Sequence, residues 1–157
     1  MSTAIAAIAA CASGLAAIVN LVIAISLARI ARRNGISGVF TWAADLLSKE
    51  EIVSARRDLF RDLGAYRETG GTYEEMSAEL KEKFESVCRT YDLVGIASHN
   101  GMLPPNIIAA EWGNSIVRLH ELCEPYLEEI RRVRGPDFWN NFSQLYRESL
   151  RIWRPGA

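Results

Sequence analysis

Two histidines, His99 and His120, two glutamates, Glu111 and Glu121, and Cys123 fall within one stretch, YDLVGIASHNGMLPPNIIAAEWGNSIVRLHELCEPYL, and Cys88 lies just before it. Every one of these side chains is a ligand type that zinc accepts, and a histidine beside a glutamate is raw material for general acid–base catalysis. Their spacing argues against both. In a helix hairpin turning at Gly101 to Pro104, His99 sits beside the turn, while His120 lies about 24 Å along the second helix at ~1.5 Å per residue. Cys88 falls opposite Ser115 to Arg118, nearer to His120 than to Cys123, so two ligands could approach but not four. Glu121 adjoins His120 and points to another face, and Glu111 precedes it by nine residues, so neither has the one-turn relation that a helix-borne acid and base would use. No GxSxG, HExxH or P-loop pattern occurs in the chain. No catalytic residue, metal or cofactor is expected, and His99-Asn100-Gly101 reads as a helix end, with Gly101 in the left-handed position that closes it.

The elements that must position these residues follow from hydrophobic periodicity. Ser48 and Glu51 stand at capping-box spacing before Ile52, Ala55, Leu59 and Leu63, with Gly64 as the stop. Thr72 and Glu75 repeat the box before a long stripe of Met76, Leu80, Phe84, Val87, Tyr91 and Val94. Pro104 and Pro105 suit the opening turn of a third helix, whose face is Ile108, Trp112, Ile116, Leu119 and Cys123. Neither histidine lies on that stripe. Glu111 and Arg118 bracket it and could pair with Arg89 or Asp92. Pro125 kinks or restarts the helix, which continues through Tyr126, Leu127, Ile130 and Val133. A last segment opens at Pro136-Asp137 and carries Phe138, Phe142, Leu145, Tyr146 and Trp153. Nothing alternates at period two.

From Thr3 to Ala28 there is no charged residue, and Arg29, Arg32 and Arg33 follow at once. A helix of that length exceeds the ~30 Å hydrocarbon thickness, and the basic stop orients it with the N-terminus outside and the remainder in the cytoplasm. A cleaved secretory signal would want a basic n-region and a shorter apolar stretch. Ile8-Ala9-Ala10-Cys11 is similar to a lipobox, but the apolar run continues well past it. The expected fold is all-α: one N-terminal transmembrane helix, then a cytoplasmic bundle of four to five helices with mostly antiparallel neighbours. Residues 1–33 form the anchor with its stop, 34–42 a juxtamembrane linker containing Gly35 and Gly38, and 43–157 the helical domain, at the inner membrane as a single-pass protein.

The net charge of −1 leaves no basic excess to suggest a nucleic-acid partner. The basic clusters at Arg56-Arg57 and Arg131-Arg134 have acidic neighbours at helix-pair spacing. Three cysteines form no paired framework and suit a reducing compartment. The partners expected are the bilayer, through the N-terminal helix, and a protein or a second copy of the chain. Tyr91, Trp112, His120, Trp139 and Trp153 are the candidate residues for a partner surface or a ligand cavity, with Trp139 and Trp153 on one helix face. A cavity lined by Tyr91, Trp112 and His120 would favour a small-ligand sensor, and a filled core with an exposed aromatic patch would favour an interaction domain. An enzyme is the third reading.

The apolar run with its basic stop, Arg56-Arg57, Tyr91-Asp92-x-x-Gly95, the segment EWGNSIVRL, and Pro125-Tyr126 followed by Ile130-Arg131 together resemble the bacterial family termed domain of unknown function 4760. The resemblance implies a membrane-anchored helical protein and carries no assigned chemistry.

Overall fold

The computed structural model describes residues 35–154, together with Ile25 and Ser26. The chain divides into two compact units, Met1–Gly38 and Val39–Ala157. The apolar run and Arg29, Arg32 and Arg33 lie outside the described residues, apart from Ile25 and Ser26. No helix among the described residues is long and apolar enough to cross a membrane.

Among the described residues the fold is all-α, with five helices and no strand. Residues 35–48 are helical (α1), including residues 35–42 of the stretch expected to be a linker. The reason is tertiary. Ala43 and Leu47 repeat at one-turn spacing and are buried, with Val39, Phe40 and Leu46 packed beside them, and that burial outweighs the ~1 kcal/mol per glycine that Gly35 and Gly38 cost in a helix.

Helix α2 spans Glu50–Glu68 and buries Ile52, Ala55, Leu59 and Leu63, the four residues its periodicity selects. Its boundaries differ from the expectation. Ser48 closes α1, so Lys49 takes the N-cap position without a side-chain bond. Gly64 does not stop the helix, which continues one turn to Glu68, with Gly70 at φ +74° in the turn beyond it.

Helix α3 covers Ala78–His99 and is capped by Ser77, whose hydroxyl accepts from the Leu80 amide. Only half of the expected Thr72–Glu75 box forms: the Thr72 amide and hydroxyl both donate to Glu75 Oε2, at 3.2 and 2.9 Å, and they order the turn before the helix. At the far end Gly101 has φ +68°, and the amides of Gly101 and Met102 donate to the carbonyls of Ser98 and Ala97. That is the left-handed closure which His99-Asn100-Gly101 implies.

Helix α4 runs from Pro105 to Arg134 with Pro105 in its first turn, and it passes through Pro125 without restarting. The missing amide deprives only the Glu121 carbonyl, on a partly exposed residue, while Cys123, Tyr126, Leu127 and Ile130 hold the following turns in the core. Helix α5 is Asn140–Trp153, four residues later than Pro136 suggests.

Helix α5 packs against both α3 and α4, while α2 lies against α3 and, less extensively, against α4. Within the core, Phe84 of α3 is ringed by Tyr73, Tyr126 and Trp139 at centroid distances of 5.8, 6.1 and 6.2 Å.

Candidate functional site

The candidate residues do not converge on one cavity. Tyr91 is fully buried, and its hydroxyl accepts from Arg56 Nη1 at 2.8 Å and shares a 2.9 Å bond with Ser115 Oγ. Trp112 is partly buried against Phe40, 5.7 Å between ring centroids. His120 is 2 % exposed. Phe142 fills the space from Tyr91 to His120, with centroids 5.3 Å from one and 5.1 Å from the other. The space that a ligand would need between them is occupied by a side chain.

His120 is a core residue, contrary to its expected place off the apolar stripe. Its Nε2 bonds Ser143 Oγ at 2.8 Å, Tyr146 stacks on its ring at 4.2 Å, and its Nδ1 is buried without a hydrogen-bond partner. Burial, reinforced by Arg131 and Arg147, pulls its pKa down to about 4, so the imidazole is neutral at pH 7. Arg131 Nη2 also donates to Ser143 Oγ, at 2.7 Å. This pair has the hydroxyl–imidazole contact of a nucleophile and its base. It lacks the acceptor that would orient the imidazole through Nδ1, and Ser143, 7 % exposed, is closed to solvent.

What His120, Ser143 and Arg131 do together is dock α5 on α4. Besides holding Ser143, Arg131 donates from Nε to the Phe138 carbonyl at 3.0 Å and from Nη2 to the Trp139 carbonyl at 3.2 Å. These bonds fix a corner where Trp139 sits at φ +51°, a left-handed conformation that bulky residues rarely adopt. Asp92 of α3 accepts from the Phe142 amide at 3.0 Å and from Asn141 Nδ2 at 3.4 Å. One turn on from Asp92, a Cβ on Gly95 would come within 2.3 Å of the Asn141 carbonyl oxygen. Tyr91-Asp92-x-x-Gly95 is therefore the seat of α5: an aromatic under Phe142, a carboxylate on its first amides and a gap for its backbone. Arg131, from the Pro125-to-Arg131 segment, completes it.

Several expectations are corrected here. Asp92 caps α5 and pairs with neither Glu111 nor Arg118. Both of those are exposed, and the Arg118 guanidinium lies 5.2 Å from the Phe60 ring centre. Cys88 meets Cys123, not His120. Both thiols are buried and free, and burial, followed by the contact with Cys123, pushes the Cys88 thiol well above its ordinary value. Trp139 and Trp153 do not share a face, since Trp139 precedes α5 and is 8 % exposed whereas Trp153 ends it at 45 %. No group of three or more His, Cys, Asp or Glu among the described residues could hold a metal ion, and His99 is exposed at the end of α3. Arg29, Arg32 and Arg33 lie outside the described residues.

Sequence reasoning missed Ser143 and the roles of Asp92, Gly95 and Arg131. The readable signal was the one-turn spacing of Tyr91 and Gly95, which places an aromatic and a glycine on one face, as a close helix crossing requires.

No curated protein and no solved structure matches the chain. A family model described as domain of unknown function DUF4760 matches residues 7–149, and the chain belongs to that family.

Proposed function

We propose that the chain is a membrane-tethered helical interaction domain, held at the inner face of the membrane by its N-terminal apolar run and binding a protein surface, its own copy included, through the C-terminal end of α5. The observation that carries the reading is the setting of Trp153. Trp153 is 45 % exposed yet seated, because a Cβ on Gly113 would lie only 3.2 Å from its Cδ1. Arg154 beside it is paired to Glu121 at 3.0 Å, and Ile152 is 44 % exposed. A large aromatic held in place and half open to solvent has the profile of an interface anchor, since little rotamer entropy remains to be lost on binding. The uncharged run from Thr3 to Ala28 with Arg29, Arg32 and Arg33 behind it supports the tether.

Two measurements test this. A tag fused after Ala157 should resist external protease in intact cells, and cleavage there overturns the orientation. A photo-crosslinking residue replacing Trp153 in the full chain should give a discrete protein adduct, to itself or to one partner. If the same residue at exposed Val133 gives the same adduct pattern, the surface is not selective and the docking reading fails.

A further inference from the structure

The contacts of His120 point to a conformational device. Four of the groups that surround it belong to α5: Ser143 on Nε2, Tyr146 across its ring, Phe142 edge-on, and the charge of Arg147. Arg131 from its own helix supplies the other cation that it feels. From α3, Asp92 interacts with Arg131 and the α5 amides, and Cys88 with Cys123. From α2, Phe60 and Tyr66 meet α4 at Arg118 and Tyr126. No hydrogen-bond acceptor stands at Nδ1.

We infer that α5 is an acid-weakened latch: protonating His120 puts a third cation beside Arg131 and Arg147 in a buried contact, and α5 opens more readily while α2, α3 and α4 stay packed. The effect falls on α5 because Ser143, Phe142, Tyr146 and Arg147 are all its residues, and α5, though packed on both α3 and α4, has 14 residues and takes its start from Asp92 and Arg131.

The sign follows from linkage. The folded value, about 4, lies below the ordinary 6.5, so the released state binds the proton more tightly. The penalty on docking is absent above pH 6.5, grows as pH falls through that value, and levels off below pH 4. Between pH 7 and pH 5 the opening constant of α5 should rise roughly twenty-fold.

The experiment is native-state hydrogen exchange on the full chain, expressed as protection factors, with 15N detection of the His120 ring. Protection in α5 should fall roughly twenty-fold from pH 7 to pH 5 while that in α2 holds, and His120 should titrate near 4. His120→Gln, which keeps a polar partner for Ser143 without a titrating group, should flatten the response. Should that variant lose α5 at neutral pH, exposed Arg147→Gln supplies the second arm by raising the His120 midpoint and shrinking the response. Uniform loosening of all helices, a His120 midpoint near 6.5, or an unchanged pH response in both variants would overturn the latch.

Discussion

Asp92 caps a helix that starts almost fifty residues downstream. Its Oδ1 accepts the Phe142 amide at 3.0 Å and its Oδ2 takes Asn141 Nδ2 at 3.4 Å. Trp139, at the N-cap position of α5, makes no capping bond of its own, so α3 provides a service that sequence neighbours normally perform.

Asp92→Ala should therefore cost about 1–2 kcal/mol, and Asp92→Asn less, because an amide oxygen still accepts but brings no charge to the positive end of the helix. Thermal melting gives the total, and amide exchange should locate the loss in the first turn of α5. Equal loss in α2 would show that the carboxylate acts elsewhere.

Gly95→Ala and Gly101→Ala make the same chemical change and should differ in outcome. At Gly95 the new Cβ meets backbone, 2.3 Å from the Asn141 oxygen, so α5 must move away and the cost should exceed about 2 kcal/mol. At Gly101 nothing lies within 4 Å, and only the left-handed φ is penalised, by about 1 kcal/mol. Denaturant titration ranks them, and a Gly101 variant less stable than the Gly95 variant would contradict the packing described.

His120→Ala should destabilise the chain by roughly 2–4 kcal/mol, through the cavity beside Tyr146 and Phe142 and the lost bond to Ser143. Trp112→Ala, at a partly buried site, should cost no more than that. A His120 variant that melts like wild type would return the residue to the surface.

The Cys88 and Cys123 thiols should ignore an aromatic disulfide reagent at neutral pH until denaturant opens the core, since both are buried and Cys88 is held in its neutral form. Rapid labelling of the folded chain would show that α3 and α4 part more readily than their packing implies.

The parts of this architecture that periodicity controls could be read from the sequence. Ile52, Ala55, Leu59 and Leu63 mark one face of α2 because a helix repeats every 3.6 residues whatever it packs against. The same holds for the stripe from Phe84 to Val94, and Gly101 was readable because a left-handed closure favours one residue type. What escaped depends on relations between distant segments. His120 looks polar and off the stripe until Ser143, on another helix, gives it a partner. The start of α5 rests on Asp92 and Arg131 and on a tryptophan in a conformation that no local preference suggests. In α1, two glycines mask a helix that Ala43 and Leu47 stabilise by burial.

The remote cap also sets an order of events during synthesis. Asp92 and Gly95 leave the ribosome well before Phe142, so α3 and α4 must wait with a groove uncovered between them, and the last fourteen-residue helix finds its starting geometry already built. As a free peptide α5 would have neither that cap nor the length for stable helicity in water. A transcript truncated before Asn140 would thus yield a nascent chain with an open apolar seam, the kind of surface that chaperones and proteases recognise.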